Sequence, residues 1–186
     1  FPEVRNVTRV RQTEKANMRA GEIRIVLPTL YIVDSTFLQI FDFELLKGNR
    51  ETALHNPNSL LLTEESAVKL FGQDDPMGKT VIRYGGDTTT FTITGILKNV
   101  PENSHMQFDG LYSFSTIYEP QMMENWGGNW LITYLELVPN ADAAVMEKKF
   151  PDYLKRHMSE GNWKYYELFL QPLNEVHANS SNITHD

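Results

Sequence analysis

An α+β fold is predicted by three features of this 186-residue sequence. Short runs of interspersed apolar and polar residues recur along it, and one helix carries clear start and stop signals. Strands and helices follow one another without a steady strand–helix–strand rhythm.

Taken in order, residues 4–11 intersperse Val4, Val7 and Val10 with polar residues and predict a strand. Residues 12–21 are polar and end in Gly21, which suits a hairpin connection. Residues 23–33 predict a second strand, with Ile23, Ile25 and Leu27 on one face and a bulge or edge position at Pro28. Asp34 and Ser35 are good N-caps for a short helix carrying Phe37, Leu38, Ile40 and Phe41. Residues 45–48 lead into a loop over 49–58. Leu60, Leu61 and Leu62 then predict a short buried strand.

The clearest helix follows at once. Thr63 caps it, Glu64 and Glu65 complement the positive end of its dipole, and Ala67, Val68, Leu70 and Phe71 form its apolar stripe. Gly72 is placed as a left-handed terminator. Residues 79–84 and 88–100 predict a hairpin about Gly85, Gly86 and Asp87, with Phe91, Ile93 and Gly95 on one side of the longer strand. Further strands are expected at 111–114, 130–138 and 165–171, and helices at 116–124 and after Asn140 or Asp142. Met146, Phe150, Tyr153 and Leu154 share a face of that last helix, and Pro151 predicts a break in it. A glycine-rich loop at 125–129 and a polar tail from 174 complete the reading.

Composition narrows the function. The chain is 41% hydrophobic, which suits a buried core, and it has no cysteine, excluding a disulfide scaffold, a zinc–thiolate site and a thiol enzyme. Its longest stretch without a charge, residues 52–63, is far shorter than a membrane span requires. Phe1 stands where an initiator methionine would, so a piece of a longer chain is expected. The net charge of −7 is uneven: residues 1–30 hold six basic and three acidic groups, and the remainder eleven and twenty-one. Arg5, Arg9 and Arg11 sit at strand spacing with few aromatics beside them, which reads as a solvated strand face rather than a nucleic-acid surface.

The motifs resolve toward structural roles. Gly78-Lys79-Thr80 resembles the end of a phosphate loop, but Gly72 lies one residue too far upstream, and a helix precedes where a strand is required. Asn103, Ser104 and His105 suit a turn in which Asn103 and Ser104 bond their own backbone and His105 stacks beside them, in preference to a metal site. Glu64 and Glu65 point about 100° apart on a helix and cannot flank one glycosidic bond. Trp126 and Trp130, around Gly127, Gly128 and Asn129, present a candidate stacking platform for a sugar or peptide.

Residues 60–109 carry a more specific signal. LLLTEESAVKLFGQDDPMGKTV, a hairpin, and FTITGILKNVPENSHMQFD resemble the extracytoplasmic core domain of MacB-like and FtsX-like ABC transporter permeases. The matching positions are Glu65, Ser66, Ala67, Phe71, Gly72, Pro76, Gly78, Lys79, Gly95, Pro101, Asn103, Ser104 and His105. The flanks VDSTFLQIFDFELLKG and TYLELVPNAD are similar to the family's as well.

The resemblance implies a non-enzymatic domain without cofactor or metal, set between the first two transmembrane helices of a permease, on the periplasmic face of the bacterial inner membrane. Such permeases dimerise and work with a separate cytosolic ATPase. It further implies two lobes: a porter-like lobe from residues 1–48 and 130–186, and an inserted mixed β/α lobe from 49–129, with both chain ends toward the membrane. The function expected is transmission of ATP-driven movement to a periplasmic client or adaptor. The alternative is a solute- or peptide-binding module using Trp126 and Trp130.

Overall fold

The structure, a computed structural model, describes residues 1–123, 130–158 and 161–176. By internal packing the chain divides into two units. One comprises Phe1–Arg5, Glu119–Asn129 and Glu136–Asp186, and the other Asn6–Tyr118 and Trp130–Leu135. Gly48 and Asn49, where the resemblance sets a lobe boundary, both belong to the second unit. None of the described helices is long and apolar enough to cross a membrane.

The α+β expectation holds: few, short helices accompany one large mixed sheet. Its strands are β1 (Val4–Gln12), β2 (Ala16–Ala20), β3 (Ile23–Leu27), β4 (Leu30–Val33), β5 (Leu45–Gly48), β6 (Ser59–Thr63), β7 (Thr80–Tyr84), β8 (Thr89–Leu97), β9 (Gly110–Ser113) and β10 (Ile132–Leu137). They run in the order β10-β1-β4-β9-β6-β8-β7-β2-β3, with β5 added on β8. β4–β9 and β6–β8 pair in parallel, whereas β1–β4, β6–β9, β7–β8, β2–β7 and β2–β3 pair antiparallel.

At the middle lies β6, all five of whose residues are buried, as a continuous leucine run dictates for a strand covered on both faces. Leu61 faces a core built with Phe37, Leu38, Leu54, Leu97 and Leu111. Both strands beside β6 bring glycine to Leu61. A Cβ on Gly110 would lie 2.6 Å from the Leu61 carbonyl oxygen, and one on Gly95 would lie 3.2 Å from Leu61 Cγ. At Gly95 the parallel register slips by one residue between Leu60 and Leu61, the bulge expected of a strand glycine under close approach.

Strand β6 ends directly in α2 (Glu64–Phe71), whose N-cap Thr63 accepts a hydrogen bond from the Ser66 N–H at 3.3 Å, as the sequence predicts. Glu65 and Lys69 pair at 2.7 Å along its surface. The buried stripe is Ser66, Ala67 and Leu70, while Val68 is exposed. The helix packs against β2, β3, β6 and β8, so Ser66 faces the sheet and Val68 does not. Gly72 has the expected positive φ of 60°, but its ψ of −122° lies outside the left-handed helical basin, a conformation that glycine alone adopts freely.

Several expectations are corrected. Residues 16–20 are not loop but β2, because Ala16, Met18 and Ala20 alternate inward and are buried. Pro28 does not bulge one strand; it separates β3 from β4, which pair with different neighbours. Residues 45–48 form β5 rather than a lead into loop. α1 is a single turn (Phe37–Ile40) without a side-chain cap, because the Asp34 carboxylate is held elsewhere. The helix expected at 116–124 is a 3-10 turn at Phe114–Thr116 and a separate α3 (Pro120–Met123). Among the described residues, 166–172 join no strand. The glycine-rich loop at 125–129 and the tail from 177 lie outside the described residues.

In the first unit, α4 (Ala143–Glu147) is capped by Asp142, which accepts from the Ala144 and Val145 N–H groups. α5 (Phe150–His157) restarts the helix with Pro151 in its first turn, the break the sequence predicts. The Phe1 ring meets Phe150 edge-on at 5.7 Å and Tyr153 at 5.3 Å. The Lys149 ammonium donates to Glu3 Oε1, and this bond, more than any other influence, lowers the Glu3 carboxyl below its ordinary 4.5.

Two outcomes are expected. Gly110→Ala loses about 1–3 kcal/mol in urea unfolding, because a new Cβ must push the Leu61 carbonyl aside in a closed core; an unchanged midpoint would show that β9 yields freely. The depressed Glu3 carboxyl stabilises above its unfolded value, and that contribution is lost as pH falls through the folded value. Glu3→Gln therefore flattens the acid-side loss of stability, measured as urea midpoints from neutrality downward, and parallel profiles would refute the role of the pair.

Candidate functional site

Strand spacing puts Arg9 and Arg11 of β1 on one face, and the second unit arranges a row of rings around them. Arg9 meets Asp34 in a fork: Nη2 lies 2.7 Å from Oδ1 and Nε 2.9 Å from Oδ2, and the Arg9 backbone N–H donates to Oδ2 at 2.7 Å. The hydrogen bond to Asp34 raises the guanidinium further above its ordinary value. Its carbon sits 4.0 Å from the Phe114 ring centre. Phe114 in turn stacks on Trp130 at 6.1 Å with 22° between planes, and Arg11 lies 5.4 Å from the Trp130 ring. The candidate platform residue Trp130 thus has Phe114 and Arg11 against its ring. Trp126 lies outside the described residues.

A second cluster gathers Phe71, Gly72, Pro76 and Gly78 at the end of α2 and the turn into β7. The Gly78 N–H donates to the Ile93 carbonyl at 2.9 Å with φ at 73°, and the Pro76 carbonyl accepts from Lys79 at 3.1 Å. Lys79 pairs with Asp74 at 3.0 Å and lies 5.3 Å from the Phe71 ring. Its ammonium is therefore held by an aspartate and a ring rather than aimed at a phosphate. An open groove of about 820 Å³ runs here, lined by Ala20, Ile23, Val68, Phe71, Gly72 and Gly78 among others. Ile23 and Val68 are half exposed, at 50% and 54%.

The remaining motif positions brace the segment between β8 and β9. Ser104 N–H donates to the Pro101 carbonyl at 3.0 Å, and Ser104 Oγ accepts from Met106 N–H at 3.3 Å. Asn103 is exposed at the turn. Gln107 Nε2 ties the turn by donating to the Pro101 carbonyl at 2.8 Å. His105 tilts against Phe41 and Tyr134, 6.1 Å from each. Glu65 belongs to this region through its backbone, whose N–H donates to Asn99 Oδ1 at 3.0 Å. The motif thus forms two braces, not one pocket. No group of three or more potential metal ligands occurs among the described residues.

Sequence reasoning missed Asp34 as the partner of Arg9, Phe114 as the ring between Arg9 and Trp130, and Arg50. Arg50 donates to the Leu38 carbonyl, to Phe41 O at 3.3 Å and to Phe43 O at 2.5 Å, closing the turn after α1. The two-residue spacing of Arg9 and Arg11 was the available signal; their partners arrive from segments distant in sequence, next to β4, β9 and β10.

Comparison with known proteins agrees with this architecture. The family model of the MacB-like periplasmic core domain matches residues 1–153. No curated protein sequence matches. A domain of a Porphyromonas gingivalis protein assigned as a permease is 23% identical at a TM-score of 0.76, covering 95% of this chain and 83% of that one. The periplasmic region of MacB from Actinobacillus actinomycetemcomitans is 17% identical at 0.60, covering 84% and 68%. The extracellular domain of the noncanonic ABC-type transporter YknZ from Gram-positive bacteria is 17% identical at 0.56, covering 83% and 76%. At these identities the likeness establishes the fold.

The Arg9–Asp34 fork is expected to be worth about 2 kcal/mol to the second unit, as a half-buried charge-assisted pair. In a double-mutant cycle of Arg9→Ala and Asp34→Ala, urea unfolding should show clear coupling. Additive losses would reduce the fork to a surface contact.

Proposed function

The chain belongs to the family of MacB-like periplasmic core domains, a periplasmic part of an ABC transporter permease of the inner membrane, and from that premise we propose that it relays movement rather than performing chemistry. In this reading the domain is non-catalytic. ATP hydrolysis by a cytosolic ATPase subunit moves the permease's own membrane helices, two permease copies work as a dimer, and the domain carries the movement to a periplasmic client or adaptor protein.

The observation that carries this reading is that the candidate side chains singled out above are engaged within the unit. Arg9 is held by Asp34, Lys79 by Asp74, Lys69 by Glu65, and the Trp130 ring by Phe114 and Arg11. The Arg9–Asp34 fork ties β1 to the end of β4, while the Lys79 and Lys69 pairs are local to one turn and one helix. A tied sheet favours movement as a body, whereas turnover needs groups free to act on a substrate. Support for a solute-binding module at Trp130 is thinner, since its ring already has an aromatic and a cationic partner.

The test uses the lack of cysteine. Exposed Thr90→Cys, spin-labelled in the full permease with its ATPase and its other cysteines removed, reports the distance between the two copies. A shift on adding a non-hydrolysable ATP analogue is expected. Identical distance distributions with and without nucleotide would overturn relay. A saturable ligand-induced thermal shift abolished by Trp130→Ala would favour solute binding instead.

A further inference from the structure

The sheet ends at β3, which has β2 on one side and no described strand on the other. Its register runs without a bulge, pairing Ala20 with Ile23 through to Ala16 with Leu27. Gly21, at φ 57°, opens the two-residue turn between the strands. A two-residue turn makes its flanking pair exchange hydrogen bonds, and the exchange recurs at every second pair. Ile23, Ile25 and Leu27 therefore bond β2, whereas Arg24 and Val26 turn their N–H and C=O groups outward. The edge is also apolar, with Val26 52% and Ile23 50% exposed. An unblunted edge of this kind is a template for another strand.

The charges beside the edge select the strand that fits it. Arg24 stands directly opposite Arg19 of β2, at a pair without ladder hydrogen bonds, where side chains come closest. Like charges so placed destabilise a sheet. Across the sheet the row continues as Ile82 and Thr90, so no acid completes it. The acids of the hairpin, Glu14 and Glu22, stand at its ends beside Lys15, and neither forms an ion pair with Arg19 or Arg24. A charge on the edge strand alone would ward off self-pairing. Arg19 lies on the inner strand and wards off nothing, so what offsets the pair is an anionic neighbour beyond β3. On the other face of β3, Ile23 joins Val68 and Phe71 of α2 along the open groove.

We propose that β3 takes an added strand from a partner protein, an extended segment in which acidic and apolar residues alternate. Its backbone bonds the outward groups of Arg24 and Val26. Its acid lies beside Arg24 and offsets the repulsion from Arg19. Its apolar residues continue the face of Ile23 and Ile25 toward the groove. The two kinds of position cannot exchange without a one-residue slip, which sends every side chain to the wrong face. A second copy of this chain is the poorer occupant, since β3 against β3 gathers four arginines on one face. The inference is independent of the relay reading, because such pairing needs neither nucleotide nor movement.

The probe is a fluorescein-labelled peptide alternating valine with glutamate, titrated into the 186-residue chain at low salt and followed by anisotropy. Saturable binding is expected, with amide hydrogen exchange slowed at Arg24 and Val26. Arg19→Glu with Arg24→Glu should weaken binding about tenfold or more, and this variant should take a valine–lysine peptide instead. That reversal of preference requires a folded hairpin, so it separates loss of the site from loss of the fold. Val26→Pro removes one outward N–H and no ladder bond, and should abolish binding with the thermal midpoint retained. Absence of binding, binding indifferent to the charge reversal, or protection away from β3 overturns the proposal. Dimers in solution that Val26→Pro dissolves would give the edge to a second copy and overturn it likewise. No ATPase takes part, so failure here leaves the relay reading standing, and unchanged distances in the permease leave this one standing.

Discussion

Leu61 has backbone on both sides where most core residues have side chains, and the second unit is arranged around that constraint. β6 runs parallel to β8 and antiparallel to β9, and each neighbour presents glycine at the point of closest approach. A side chain there would hold the strands apart. Thr63, at the end of β6, donates both its N–H and its hydroxyl to the Asp109 carbonyl before capping α2. The position of α2, and hence of the groove at its far end, follows from how tightly β6 is seated.

Charge is arranged by the same economy of partners. Residues 1–30 look like a cationic surface when counted, yet Arg9 is clamped by Asp34 beneath Phe114 and Arg11 faces an indole. Lys79, the residue that lends the Gly78-Lys79-Thr80 stretch its likeness to a phosphate loop, lies between Asp74 and Phe71. These ties stiffen the scaffold. The large unanswered surface in the described part of the first unit is apolar, along the segment after α5.

Much of the fold was legible where a local signal sufficed. The threonine cap and acidic first turn of α2, the leucine run of β6, the hairpin at Gly85 and the break at Pro151 each depend on a few consecutive residues. Legibility failed where the deciding partner was remote. β2 was hidden because alanines give a weak strand signal, and only pairing with β3 and β7 makes residues 16–20 a strand. Residues 165–171 carried a strand pattern with no described neighbour to pair with. Of the candidate site, the motif positions were found through the family resemblance, but their separation into two braces was not.

By itself, the sequence determined where α2 begins and ends, that β6 would be buried, that glycine was needed at 72 to end the helix, and the family to which the chain belongs. These follow from backbone sterics and short-range hydrogen bonds, which adjacent residues specify. The tertiary structure alone decided that Asp34 would serve Arg9 instead of capping a helix, that Trp130 would be stacked on Phe114, and that the aromatic stretch after α5 would remain uncovered. Each of these depends on which distant group arrives within a few ångströms, and sequence spacing does not encode that.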